Sequence, residues 1–296
     1  MEYLLINGRK YGFAKNYKEN EALRKKYNEL TEKTYGFSFE PWYQDGYWGD
    51  SHIPYTLFDG DCAVSNLSVN KMKLSIFKEE KNCIQIGTVM TDKAYRNLGL
   101  SSYLINRIIE ESECDFIYLF ANKRVLGFYP KFGFRKHEEY NYFKNINFSK
   151  TNTHVKKLDM EIPENKRFLY KKAGESIPLF KVSMLGNPGL VMFHCTSFMK
   201  EFVYYIESLD IVVIAEYNGN MLHIYDIFSA KNIKTDHIIK IMCRPETKTV
   251  TLGFAPCENS FQSSINSDSD NILFIYSRDK LDFGREKLRF PDLSHT

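Results

Sequence analysis

Arg96, Gly99, Ser101 and Ser102 lie close together in the stretch AYRNLGLSSYL (94–104). A fixed cation, a glycine free to take a left-handed backbone and two hydroxyls at the head of an apolar run are groups that hold an anion, above all a phosphate, on helix amides. Leu104, Ile105, Ile108 and Ile109 follow at helical spacing and predict the helix itself. Most helices place acids in their first turn, where the dipole favours them. Here no carboxylate occurs from Ala94 to Ile109, while Glu110, Glu111 and Glu113 crowd the far end. The start is left open to an anion. Taken alone, the stretch fits equally well with Ser101 acting as an ordinary helix cap.

The surrounding pattern shows what would position this loop. Leu23, Tyr27, Leu30 and Tyr35 recur on one face of residues 17–35, which predicts an amphipathic helix ended by Gly36. FSFEPWYQDGYWGD (37–50) has no clean period and reads as a structured loop or a short second helix. Apolar and β-branched residues on both sides of Asp59-Gly60 predict a hairpin, and CIQIGTVMT (83–91) a further strand. After the anion-loop helix come a buried strand at DFIYLFA (115–121) and a brief helix closed by Gly133. HEEYNYFKN (137–145) and THVKKLDM (153–160) are expected to pair as a terminal antiparallel hairpin. This half is a mixed α/β (α+β) layer on a mostly antiparallel sheet.

A polar run after Met160 marks a boundary with a linking helix. The remainder repeats the order in outline: a helix at SFMKEFVYYIES (197–208), strands around Asn218-Gly219, a helix at KTDHIIKIM (234–242), and strands at KTVTLGFA (248–255) and NILFIYS (271–277). The loop Ser260–Asn271 is the expected mobile segment. Two domains, 1–160 and 161–296, fit a length of 296 residues, since single cores seldom grow much past about 250 residues.

Composition narrows the class. With 43% hydrophobic and 26% charged residues the chain is an ordinary globular sequence, which sets disorder and coiled coil aside. A net charge of +3 from 40 basic and 37 acidic side chains leaves no electrostatic footprint for nucleic acid. The six cysteines are scattered and form no CxxC pair, so neither a disulfide framework nor a metal site is expected. The N-terminus lacks a signal-peptide core and no run reaches membrane-span length. A cytoplasmic protein without metal or membrane partner is the expectation.

At the anion loop the sequence resembles the GNAT superfamily of acyl-CoA N-acyltransferases. That family carries [Q/R]-x-x-G-x-[G/A] between its fourth strand and third helix, and Arg96-Asn97-Leu98-Gly99-Leu100-Ser101 matches it, with serine in the final small position. Downstream the family shows an asparagine, a tyrosine seven residues later and a Gly-Phe, here Asn122, Tyr129 and Gly133-Phe134. Three matches in order make a specific signal, and the resemblance covers about residues 15–160. The second half resembles the degenerate GNAT-like domain of tandem members. It keeps a Gly253-Phe254 after a strand but has no arginine and glycine loop, so no acyl-CoA is expected there.

The resemblance implies an N-acetyltransferase in which a primary amine attacks acetyl-CoA directly. The pantetheine arm would lie along Val89 and Thr91, the pyrophosphate on Arg96, Asn97, Leu98, Gly99, Leu100, Ser101 and Ser102, with Asn122 nearby. Tyr129 is the implied acid for the departing thiolate, since a phenol of ordinary pKa near 10 is protonated at neutral pH. Where some members place a glutamate on the fourth strand, this chain offers Gln85 and Thr88, and neither can serve as a base. Glu40, Asp45, Asp50 and Asp61 are the substitutes, with His52 a further option. Glu40, Trp42, Tyr43, Asp45 and Tyr47 would suit a cationic small-molecule or peptide amine. An aromatic plug between the domains accounts for them equally well.

Two rival functions stand beside this one. A Fem-type aminoacyl transferase shares the tandem architecture, but the near-neutral charge and the intact acyl-CoA loop count against it. A non-catalytic acyl-CoA sensor or interaction protein is kept alive by the missing strand carboxylate. The tail FPDLSHT (290–296) reads as a docking segment without assigned chemistry.

Overall fold

In the computed structural model, which describes residues 1–267, 271–279, 283 and 286–296, two sheets form around separate parallel strand pairs. The chain opens with the hairpin β1 (Glu2–Ile6) and β2 (Arg9–Lys15), followed by α1 (Glu21–Tyr35) and the short α2 (Glu40–Gln44). Then come β3 (His52–Asp59), β4 (Cys62–Ile76), β5 (Glu79–Thr91), α3 (Leu100–Glu111), β6 (Phe116–Ala121) and β7 (Arg135–Lys136). Next in the chain are β8 (Tyr140–Asn145), β9 (Val155–Lys157), α4 (Pro163–Gly174), β10 (Val182–Leu185) and α5 (Pro188–Ser197). The last elements are β11 (Val203–Ile206), β12 (Ile211–Asn218), β13 (Met221–Phe228), α6 (Thr235–Met242), β14 (Thr249–Leu252), β15 (Gln262–Ile265) and β16 (Ile272–Tyr276).

The first sheet runs β1-β2-β3-β4-β5-β6-β16-β7, with β10 also paired to β4; the second runs β15-β8-β14-β13-β12-β11-β9. Among the described strands, β5–β6 and β13–β14 are the parallel pairs, and each is bridged by one helix, α3 or α6. A crossover helix is what a parallel connection requires. The expected fold class of two GNAT-like units, each a mixed, mostly antiparallel sheet flanked by helices, is the architecture observed.

Strand membership crosses residue 160 in both directions. β8 lies between β14 and β15 and β9 beside β11 in the second sheet, so the hairpin expected from residues 137–160 does not form. In exchange β16 inserts between β6 and β7, and β10 extends the first sheet. The helix expected at 197–208 is also corrected. Residues 203–206 are a strand, with the helix displaced to 188–197, where Pro188 opens it and Asn187 caps the Leu190 amide. The β1–β2 hairpin turns on Asn7-Gly8, both at positive φ, the pairing that two-residue hairpins favour. Residues 268–270 of the loop expected to be mobile lie outside the described residues, and β15 occupies part of the rest.

α1 is fixed at both ends: the Asn20 side chain accepts from the Leu23 amide, and Gly36 closes it at φ 80°. Its face of Tyr27, Leu30 and Thr31 is buried against the sheet. α3 buries Leu100, Leu104, Ile105 and Ile108 on the opposite core, each side chain contributing about 1.5–3 kcal/mol by leaving water. The two helices hold β4 and β5 between them.

Candidate active site

β5 is where the sheet opens. Ser68 faces Gly87, but its next neighbour in register, Asn66, faces Met90, so Thr88 and Val89 bulge out of the ladder. Thr88 takes φ 48° to do so. On the other side the parallel pairing with β6 ends at Ile86 and Leu119, although β5 continues to Thr91. The main chain from Gly87 to Thr91 is therefore free of β6, an edge with backbone donors and acceptors available to an extended ligand.

The strand leads directly into the anion loop. A turn at Lys93–Tyr95 follows, Asn97 stands at φ 62°, and Gly99 at φ 80° is the residue preceding α3. No side chain caps this helix and no acid lies in its first turn. Ser101 is not the cap; its hydroxyl bonds Thr91 Oγ1 at 2.8 Å, and Thr91 in turn meets Ser65 at 2.9 Å. The first amides of α3 are thus left without a side-chain partner, at the positive end of the helix dipole. A side chain at Gly99 would bring its Cβ to 2.8 Å from Asn7 Nδ2, so the loop is held tightly against the β1–β2 turn. Arg96 stands exposed, its Nε donating to the Thr91 carbonyl at 3.4 Å. The residues present fit a diphosphate: amides without a side-chain partner, an adjacent guanidinium, and no acid in the first turn of α3.

Tyr129 starts a short turn, Tyr129–Phe132, closed by Gly133 at φ 87°. Its ring packs against Phe128, Phe134 and Phe274. Burial pushes the phenol above its usual range, which keeps the proton in place at neutral pH. Tyr35, from the end of α1, comes up beside it: the Tyr35 hydroxyl donates to the Val89 carbonyl at 2.8 Å and acts electrostatically on Tyr129. Asn122 sits on the surface as the cap of the next turn, accepting from the Arg124 amide.

The aromatic segment expected to receive the amine is engaged in packing. Glu40 accepts from Arg24 at 2.8 and 3.0 Å and from Asn28 and Gln44. Tyr43 lies under the Arg24 guanidinium at 3.7 Å, Trp42 stacks on Trp48 and donates to the Gly189 carbonyl, and Tyr47 packs on Tyr170. Asp45 pairs with Lys166 at 2.7 Å and Asp50 with Lys18 at 2.6 Å. These contacts tie the segment to α4 and α5, and its carboxylates Glu40, Asp45 and Asp50 are each matched to a cation. Asp61 is exposed at the β3–β4 turn.

Other residues gather at Gly87. His52, Asn70, Gln85 and Tyr118 are direct cross-strand neighbours on β3, β4, β5 and β6. The tail lies across them. Tyr118 donates to the Ser294 carbonyl, His295 stacks on Phe120 with ring centres 3.5 Å apart, and Thr296 bonds both Asn70 and Gln85. A Cβ at Gly87 would overlap Thr296. Sequence reasoning had no place for Tyr35, Asn70 or Thr296 at this site. The alternation Asn66, Ser68, Asn70 in β4 was the available signal, and period two in a strand ordinarily marks a solvent face.

Residues 15–136 match the family profile described as an acetyltransferase (GNAT) domain. That match assigns residues 15–136, and not the remainder of the chain, to a GNAT-type domain. Among solved structures it resembles a GCN5-related N-acetyltransferase from Kribbella flavida, at 11% identity and TM-score 0.58, over 90% of this chain and 72% of that one. A probable N-acyltransferase from Enterococcus faecalis is similar at 11% identity and TM-score 0.57, with the same coverage. A GCN5-related N-acetyltransferase from Anabaena variabilis follows at 12% identity and TM-score 0.53, over 89% and 72%. At these identities the likeness shows the fold, and it extends across both sheets. No curated protein matches the chain in sequence.

Proposed function

We propose that the protein transfers an acetyl group from acetyl-CoA to a primary amine of a small molecule or peptide by direct attack. The observation that carries this reading is the uncapped, acid-free start of α3 beside the unpaired edge of β5. Val89 and Thr91 offer main-chain partners to the pantetheine arm, and Arg96 to Ser102 hold the diphosphate, with Asn122 at the rim. Acetyl-CoA brings an activated thioester. Amides at the bulge polarise its carbonyl, and Tyr129 supplies the proton that the departing sulfur needs. Residues 1–160 carry these groups. Residues 161–296 lack such a loop and act as a degenerate half that supplies β16 and the tail to the first sheet. Six free cysteines agree with a reducing compartment such as the cytoplasm.

Calorimetric titration with acetyl-CoA, followed by thiol release across a panel of amines, tests the reading. Micromolar binding with turnover on at least one amine supports it, and absence of binding removes it. Gln85 at the strand position of a usual carboxylate favours one alternative, a sensor, which would bind acetyl-CoA and release no thiol whichever amine is offered.

A further inference from the structure

The bulge interrupts the β4–β5 ladder at the point where β5 would meet a ligand. Thr88 and Val89 together stand opposite Leu67, since Asn66 faces Met90 and Ser68 faces Gly87. Two residues opposite one cannot all keep regular ladder bonds, and a buried carbonyl left without one is costly unless another donor reaches it. Two side chains do so. Asn66 Nδ2 donates to the Thr88 carbonyl at 3.1 Å, and the Tyr35 hydroxyl donates to the Val89 carbonyl at 2.8 Å. One donor comes from β4 and the other from the end of α1.

Asn66 is fully buried and its whole amide is committed to this arrangement: the nitrogen also donates to Ser68 Oγ at 3.1 Å, and Oδ1 accepts from the Thr56 hydroxyl at 2.7 Å. A carbonyl can only accept, so the nitrogen must be the atom that faces Thr88. A trans peptide directs its N–H opposite to its carbonyl. Holding the Thr88 carbonyl toward Asn66 therefore turns the Val89 N–H away from β4. The other side of β5 is the edge that β6 leaves free beyond Ile86. Tyr35 holds the following peptide as well, so Val89 is anchored on both sides of its Cα. These bonds act against strain. Thr88 stands at φ 48°, a left-handed backbone that β-branched residues avoid. A return to extended backbone would relieve it and swing the Thr88–Val89 peptide out of line with Asn66.

Resting on the acetyltransferase reading, we propose that Asn66 is a positioning residue for the transfer: through the Thr88 carbonyl it aims the Val89 N–H at the thioester carbonyl of bound acetyl-CoA, with Tyr35 as the second anchor. Negative charge gathers on that oxygen as the amine nitrogen bonds the carbonyl carbon, and it leaves again as the C–S bond breaks. An amide already turned toward the oxygen stabilises this charge without having to reorganise. Asn66 exchanges neither a proton nor a bond with the reactants. Its nitrogen and the Val89 N–H lie on opposite sides of one peptide group, so removing the first is read at the second.

The test compares wild type with Asn66→Leu, which keeps the bulk of the side chain and removes the donor, and with Tyr35→Phe, at an exposed position, should the first fail to fold. Acetyl-CoA carrying carbon-13 at the carbonyl is bound to each protein, and the thioester stretch is read by difference infrared spectroscopy. A carbonyl that accepts a strong hydrogen bond vibrates at lower frequency, so the wild-type band should lie below that of acetyl-CoA free in buffer. In Asn66→Leu at least half of that displacement should vanish, and in Tyr35→Phe a smaller part. With the amine turned over fastest, kcat should fall about 100-fold in Asn66→Leu, the range for a lost oxyanion donor, and about 10-fold in Tyr35→Phe. The acetyl-CoA dissociation constant should stay within threefold. A band at the wild-type position in folded Asn66→Leu, or in Tyr35→Phe where only that variant folds, overturns the proposal whatever happens to kcat. A wild-type band no lower than that of free acetyl-CoA overturns it too. Wild-type binding of acetyl-CoA without thiol release on any amine overturns the transferase reading instead, and the band still decides where the Val89 amide points.

Discussion

Thr91 Oγ1 and Ser101 Oγ lie 2.8 Å apart and tie the end of β5 to the first turn of α3. Because Ser101 faces the strand, no side chain satisfies the helix amides, and the electropositive end stays available. Ser102→Asp places a carboxylate in that first turn. Interaction with the dipole, worth about 0.3–1 kcal/mol, should hold the melting temperature of the free protein level or raise it. The same charge opposes a diphosphate, and acetyl-CoA affinity should drop at least 10-fold. Calorimetry beside a thermal melt reads both, and equal affinity in the two proteins would place the anion elsewhere.

Gly99 meets two constraints at once, a φ of 80° and the approach of Asn7. Gly99→Ala should cost about 1–3 kcal/mol in strain and open the loop. Acetyl-CoA affinity falls roughly 10-fold, the counterpart of about 1.4 kcal/mol. Asn7→Ala in the same background removes the clash but not the backbone strain, so the double variant should regain part of the affinity and not all of it.

Tyr129→Phe leaves the packing against Phe128, Phe134 and Phe274 in place and removes only the hydroxyl. The expected result is kcat reduced about 100-fold or more with the acetyl-CoA dissociation constant within twofold. Equal turnover would make Tyr129 a packing residue and move the acid role to Tyr35, the other hydroxyl at Val89.

The local chemistry of the first sheet was legible because it depends on short stretches. Arg96 to Ser102 announces a turn and an open helix start in seven residues, and Asp59-Gly60 announces a hairpin. Pairings set by distant residues were not legible. Tyr140 to Asn145 reads as a strand, but nothing local tells it to join Thr249–Leu252 instead of the neighbouring Val155–Lys157. Val203–Ile206 was lost to a helix because SFMKEFVYYIES has apolar residues at both strand and helix spacing, and β12 decides the outcome. Asn7-Gly8 is a further local signal, and it turns β1 onto β2. At the site, Tyr35 reads as part of the apolar face of α1, yet it stands exposed, and only the fold shows that its hydroxyl ends at the Val89 carbonyl.

Trp42 distinguishes plug from pocket. It is buried between α2 and α5, stacked on Trp48 and bonded to the Gly189 carbonyl. Trp42→Ala should destabilise by about 3–5 kcal/mol. If the ring only packs, the Michaelis constant for the amine measured well below the melting transition changes less than threefold. A large rise in that constant with stability intact would return the segment to the acceptor site.

Glu139 holds the tail from beneath, accepting from the Phe290 amide at 2.9 Å while its own carbonyl accepts from Asn266. Burial pushes its carboxyl up to about 7, against partial opposition from the Phe290 bond and Arg289. The folded chain therefore keeps a proton that the unfolded chain, with an ordinary glutamate near 4.3, has released. Between those two values the folded state binds more protons, so this group's contribution to stability declines as pH rises and is lowest above about 7. Asp226, pushed up to about 7 by the same cause, adds a decline of the same sign. His52, His194 and His295, each lowered to about 4 by burial, act the other way and cost stability as pH falls below about 6.5. Glu139→Gln keeps an acceptor for Phe290 without the charge. Melts at pH 5 and pH 8 should show the variant near wild type at the lower pH and more stable at the higher one, by on the order of 1–3 kcal/mol. A shift of equal size at both would mean that the side chain is not proton-linked, and the tail would then owe its place over Gly87 to packing alone.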